Sequence, residues 1–114
     1  MQSRNKKAPT AAEKAHILRV KLLPCSVCDC GGGEGAPSEA HEQRQGHWWT
    51  SIALCAGCHR SGFNGWHGQK RIWLLKKMDE LDALGVTIAR LFSPQYQPSA
   101  QALRACAAMN LGAD

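Results

Sequence analysis

Two cysteine pairs of the same spacing, Cys25-x-x-Cys28 and Cys55-x-x-Cys58, have the most definite chemical use in this chain. Each spacing allows a tight turn that aims both sulfurs at one point, and two such hooks supply four thiolates to one tetrahedral zinc ion. Zinc would close the loop between the hooks, so its binding energy would also serve as folding energy. Two disulfides or a redox pair use the same residues, but a thioredoxin-like redox pair belongs near a βαβ pattern, which is absent here. Cys30 follows Cys28 by two residues and competes with it as a ligand, while Cys106 has no partner hook and reads as a small core residue on a helix.

Histidines gather around the hooks. His41 lies between them, His59 directly follows Cys58, and His67 comes eight residues later, across a glycine-containing stretch that would have to fold back for the two to meet. A histidine beside a metal knuckle is held in place by the metal, which suits a catalytic ligand, and neutral imidazole is a common ligand for transition metals. His16 reads as a surface or packing residue, and His47 is a weaker candidate.

The elements that must position these groups follow from the rest of the chain. With 114 residues there is room for one domain with a modest core. Thr10 caps a helix from Ala11 to about Leu22, with Ala15, Leu18 and Leu22 as its apolar face, and Pro24 ends it. Residues 25 to 37 form a knuckle and loop, too glycine-rich for a helix or central strand. Short extended segments around Ser38 to Glu42 and Trp49 to Leu54 pair as a small hairpin. Gln69 to about Leu84 reads as one helix with Ile72, Leu75, Met78 and Leu81 inward. Gly85 stops it, and Thr87 caps a short helix to Phe92. After a break at Ser93-Pro94, Ser99 caps a last helix from Ala100 to Leu111. The domain plan is a basic arm over residues 1–10, a core over 11–92, and a linker and helix over 93–114.

The formal charge is +5, and residues 1 to 21 alone carry six basic side chains (Arg4, Lys6, Lys7, Lys14, Arg19, Lys21) against Glu13, so the remainder is neutral in sum. Arg4, Lys6, Lys7 and Lys14 are the candidate DNA contacts, because such an arm displaces counterions from phosphate. A solvated tail is the plainer reading of the same residues. Trp48, Trp49, Trp66 and Trp73 suit base stacking or a core. No window is long and apolar enough to span a membrane and Met1 to Lys7 is not followed by a signal-peptide core, so the expected compartment is the cytoplasm.

The order helix, Cys-x-x-Cys, histidine on a strand, Leu-Cys-x-x-Cys-His, helix resembles the His-Asn-His (HNH) endonucleases with a structural zinc. Within them it looks most like the phage recombination-enhancement nuclease family, known for RecA-dependent cutting. The likeness rests on Glu13 to Val20, Cys25-Ser-Val-Cys28, Pro37-Ser-Glu-Ala-His41, Ala53-Leu-Cys-Ala-Gly-Cys-His59 and Gly65-Trp-His67-Gly68, roughly residues 11 to 92.

The resemblance implies a small α+β fold with a ββα-metal core, a zinc-knuckle pair and flanking helices. It also implies hydrolysis of DNA phosphodiesters in a phage or its bacterial host, with a recombinase filament as a possible partner. Carried over, His41 is the general base, and His59 and His67 hold a catalytic divalent ion, magnesium, manganese or zinc. If the family's paired residues align with His41-Glu42 instead, His41 is a ligand and Glu42 stands in the base position. The family's middle asparagine is missing near Trp49-Thr50-Ser51, where Thr50, Ser51 or a backbone carbonyl is the substitute. A zinc-knuckle module that holds DNA without cutting it, and a wholly structural or redox use of the cysteines, are the competing readings.

Overall fold

The computed structural model of the chain describes residues 7–93. Its first helix, α1 (Ala11–Lys21), starts where the side chains can satisfy its orphan amides: Thr10 Oγ1 accepts from the Glu13 N–H at 3.2 Å, and the Glu13 carboxylate accepts from the Thr10 N–H at 2.8 Å. The expected apolar face is not the one buried. His16 and Val20, one turn apart, face inward, whereas Ala15, Leu18 and Leu22 are exposed. Apolar residues lie all around this helix, so its pattern does not choose a face, and the stacking of His16 on Trp49 with ring centroids 5.0 Å apart does.

A two-stranded antiparallel sheet follows, built of β1 (Glu39–Glu42) and β2 (Ser51–Leu54), with His41 opposite Ile52 and Glu39 opposite Leu54. A short 3-10 turn over Trp48–Thr50 leads into β2. So short a hairpin needs support. β2 is buried along its whole length, with α1 and the last described helix packed against it, and Ser26 donates its amide to Ala53 O at 2.8 Å, tying the first cysteine turn to this strand. Helix α2 (Ala56–Arg60) then begins at Cys55, whose Sγ accepts from the Cys58 N–H at 3.4 Å.

The single helix expected over residues 69 to 84 is two elements, α3 (Arg71–Leu75) and α4 (Glu80–Leu91). Lys77 breaks the run with a left-handed backbone at φ 55°, and Asp79 restarts it in a capping box with Asp82, each carboxylate accepting the other's amide at 2.9 Å. The inward face differs accordingly: Trp73 and Ala83 are buried, whereas Leu75 and Leu81 are exposed.

Gly85 does not stop a helix, and Thr87 does not cap one; both lie inside α4. Thr87 is fully buried and donates its hydroxyl to Ala83 O at 3.0 Å, so the Ser26 hydroxyl, 2.6 Å away, is the donor to Thr87 Oγ1. The same oxygen accepts from the Ala53 N–H at 3.2 Å. Arg90, near the end of α4, donates to Cys25 O at 3.1 Å and pairs with Asp29.

The core is made of Cys25, Val27, Cys28, Ile52, Leu54, Cys55, Cys58, Trp73 and Ala83. The result is a small α+β arrangement, and no described helix is long and apolar enough to cross a membrane. Arg4, Lys6, the expected helix over 100–111 and Cys106 lie outside the described residues.

Candidate metal centres

The two cysteine turns meet. Cys25, Cys28, Cys55 and Cys58 are all buried and outside any disulfide, their sulfurs lie within 4.8 Å of one another, and Cys28 Sγ is 3.5 Å from Cys55 Sγ. Cys30 stands outside this set, so the first hook uses Cys28. The turns hold the sulfurs through the Val27 and Cys58 amides, which donate to Cys25 Sγ and Cys55 Sγ at 3.4 Å each.

Four thiols this close share protons unequally. Burial opposes ionisation of Cys25, yet hydrogen bonds from Cys28, Cys55 and Cys58 bring its thiol well below the ordinary range. Cys55 is raised by its contact with Cys25 and more than offset by Cys28 and Cys58, so it also falls. Cys28 and Cys58 are pushed up, first by their hydrogen bonds with Cys25. A buried all-sulfur set can ionise fully only around a cation, and this one can hold a structural metal ion.

A second group forms immediately beside it. His59 follows Cys58 on α2, His41 comes from β1, and His67 returns from the loop between α2 and α3. That loop folds back through Trp66 N–H to Cys58 O at 2.9 Å and His67 N–H to His59 O at 3.1 Å. Its tightness requires glycine: a Cβ on Gly65 would lie 2.5 Å from Ser61 O, and one on Gly68 would lie 2.4 Å from the same oxygen. The three imidazoles stand with centroids 5.0 Å (His41 to His59), 5.1 Å (His41 to His67) and 5.0 Å (His59 to His67) apart, each offering a ring nitrogen within 4.8 Å of the others.

Carboxylates orient two of the three rings. Glu39 Oε1 lies 2.8 Å from His59 Nδ1, and Glu80 Oε2, at the start of α4, lies 2.5 Å from His41 Nε2. Glu39 also accepts from Arg60 Nε at 3.0 Å. Partial burial raises Glu39, but His59 and Arg60 outweigh it and hold the carboxyl below its usual range. Loss of water lowers the His67 pKa, and the neighbouring His59 and His41 lower it further, against a smaller opposing pull from Glu80. Exposed His67 is thus biased to its neutral form, the one that can ligate a metal.

Glu42 is not brought into the group. Strand alternation puts Glu39 and His41 on one face of β1 and Glu42 on the other, where its carboxylate accepts from the Gly46 N–H at 3.2 Å. The Thr50 and Ser51 hydroxyls are turned to backbone, donating to His47 O at 2.6 Å and Trp48 O at 2.7 Å. Among the arm residues, Lys7 and Lys14 are exposed, and the Trp48 indole donates to Lys7 O at 3.1 Å.

Further positive charge follows His67 along the chain, and Lys70 is close enough to act on it. Lys70 Nζ sits 3.9 Å over the Trp66 ring, and the Arg71 guanidinium 4.9 Å from the centre of Phe63. Trp73 is a core residue whose indole donates to Cys58 O at 2.8 Å. Sequence reasoning missed Glu39 and Glu80: Glu39 sits two residues before His41 in strand register, which was a usable signal, whereas Glu80 lies 39 residues from its partner. No family model, curated protein or solved structure matches the chain.

Proposed function

We propose that the chain is a metal-dependent DNA endonuclease or nickase of the HNH type, with zinc as a structural ion in the thiol group and a divalent ion on the histidines. The observation that carries the reading is the convergence of His41, His59 and His67, a ligand set beyond anything the four cysteines need. Zinc suits the thiols: a tetrahedron with bonds of about 2.3 Å has edges of about 3.8 Å, close to the 3.5 Å between Cys28 and Cys55.

The anchoring also fits hydrolysis. His59 is adjacent to Cys58, so an ion in the thiol group fixes the start of the catalytic site as well as the core. A divalent ion on the histidines supplies positive charge to phosphate oxygens and to the leaving oxygen. The equal spacing of the rings supports His41 as a member of the ligand set. Glu42 then serves as base only if its carboxylate leaves the Gly46 amide. Lys70, Arg71 and the exposed Lys7 and Lys14 provide phosphate contacts. The phage setting and a recombinase filament as partner rest on the sequence resemblance.

The test is nicking of supercoiled plasmid by purified protein with magnesium, manganese or zinc, alone and with a recombinase-coated substrate. Cleavage is expected from wild type and should disappear in His41→Ala and His59→Ala with zinc content at the thiols unchanged. DNA binding without cleavage on either substrate would overturn the reading in favour of a non-catalytic zinc-knuckle module.

A further inference from the structure

Glu80 belongs to a different part of the chain from the histidines, yet its carboxylate reaches Nε2 of His41 at 2.5 Å. The contact is sheltered, with the His41 side chain 10% and the Glu80 side chain 21% exposed. A carboxylate can only accept, so in the neutral ring that metal ligation requires, Nε2 carries the proton and Nδ1 the lone pair. We propose that Glu80 is a positioning residue of the histidine metal site, fixing the tautomer and ring orientation of His41 so that Nδ1 is its ligating nitrogen. This inference rests on the reading of the three histidines as a metal site.

The placement of Glu80 is itself secured from both sides. Asp79 and Asp82 cap the helix around it, which fixes where α4 starts. Seven residues on, Thr87 binds Ser26 and the Ala53 amide, and Arg90 grips the backbone of the first cysteine turn at Cys25. Helix α4 therefore ties the backbone of the first cysteine turn at one end to His41 at the other. Glu39 does the same for His59 through Nδ1, leaving Nε2, so the two rings are oriented through opposite nitrogens. Carboxylates bound to ligating histidines fix orientation and raise basicity, and their loss typically weakens metal binding by about 10–100-fold.

The experiment uses the full chain, loaded with zinc at the thiols, and titrates cobalt into the second site of wild type, Glu80→Ala, Glu80→Asp and His41→Ala. Long-range nitrogen–proton correlation spectra on the same proteins read the His41 tautomer. Wild type should bind one cobalt with histidine-type spectra and show His41 protonated at Nε2. Glu80→Ala should keep its zinc, lose the fixed tautomer and bind cobalt about 10–100-fold more weakly, with Glu80→Asp recovering part of both. Unchanged cobalt affinity in Glu80→Ala, or a wild-type His41 protonated at Nδ1, overturns the inference. Failure of wild type to bind a second ion at all overturns the underlying metal-site reading instead.

Discussion

His16 lies buried on α1 against Trp49, and its Nε2 has no hydrogen-bond partner among the described residues. Burial lowers its pKa below 6.5, Arg19 adds to the shift, and a hydrogen bond with the Trp49 backbone opposes it. The folded protein therefore takes up the His16 proton less readily than the unfolded chain. This contribution to stability is full above pH 6.5, the unfolded value, and is lost as the pH falls from there through the folded pKa. His16→Phe keeps a ring against Trp49 and cannot titrate. Urea unfolding from pH 8 to 5 should show wild type losing stability relative to the variant as the pH drops, the difference between the two removing the share of the metal sites. Parallel curves would show that His16 does not titrate differently in the two states. At this scale the sequence was informative wherever spacing along the chain fixes geometry, as at the two cysteine hooks and Cys58-His59. It was silent where a partner arrives from a distant element, as Glu80 does for His41 and Thr87 for Ser26.

Helix ends are decided by competition between caps, and the region from Gln69 to Phe92 shows which signal prevails. Gly85 and Thr87 offered a stop and a start, but the reciprocal Asp79–Asp82 box satisfies two orphan amides at once, and Thr87 is needed in the core to receive Ser26 and Ala53. The demand on Thr87 is visible only in the tertiary structure, whereas Asp79-x-x-Asp82 is a local cap signal that sequence reasoning passed over. The two placements of Gly85 predict opposite signs for one substitution. In the middle of α4, exposed and with nothing within 4 Å of an added Cβ, Gly85→Ala should stabilise the protein by about 0.4–1 kcal/mol, because alanine has less freedom to lose on folding. At a left-handed helix stop it would destabilise. Chemical denaturation of the two proteins reads the sign directly, and a destabilised Gly85→Ala would mean that α4 does not run through this residue. The hairpin was legible from its boundaries because the glycine-rich loop before it and the second cysteine hook after it leave little room for anything else, whereas α1 was legible in extent but not in face, its apolar residues lying all around.

At the scale of the whole molecule, the two candidate metal centres differ in depth and in what depends on them. The thiols are part of the core itself and join the first cysteine turn, β2 and α2, while the histidines sit at its edge with exposed His67. A structural zinc contributes about 10–16 kcal/mol in small zinc domains, and the entire net stability of a domain is about 5–15 kcal/mol. Loss of the inner ion should therefore unfold the chain, whereas loss of the outer one should leave the fold in place. Dependence runs one way, since the histidine group needs Cys58 to position His59 but the thiols need no histidine. Titration with a chelator of graded strength, following metal release and far-ultraviolet circular dichroism together, should show two steps. The first ion should leave with the helix signal intact and the proposed nicking activity gone, and the second should leave together with the helix signal. Cys58→Ser should skip the first step, having no ordered histidine site to empty. A chain that keeps its helices after both ions are gone would mean that apolar packing of Val27, Ile52, Leu54 and Trp73 holds the fold without metal, and that the four cysteines are not what closes it.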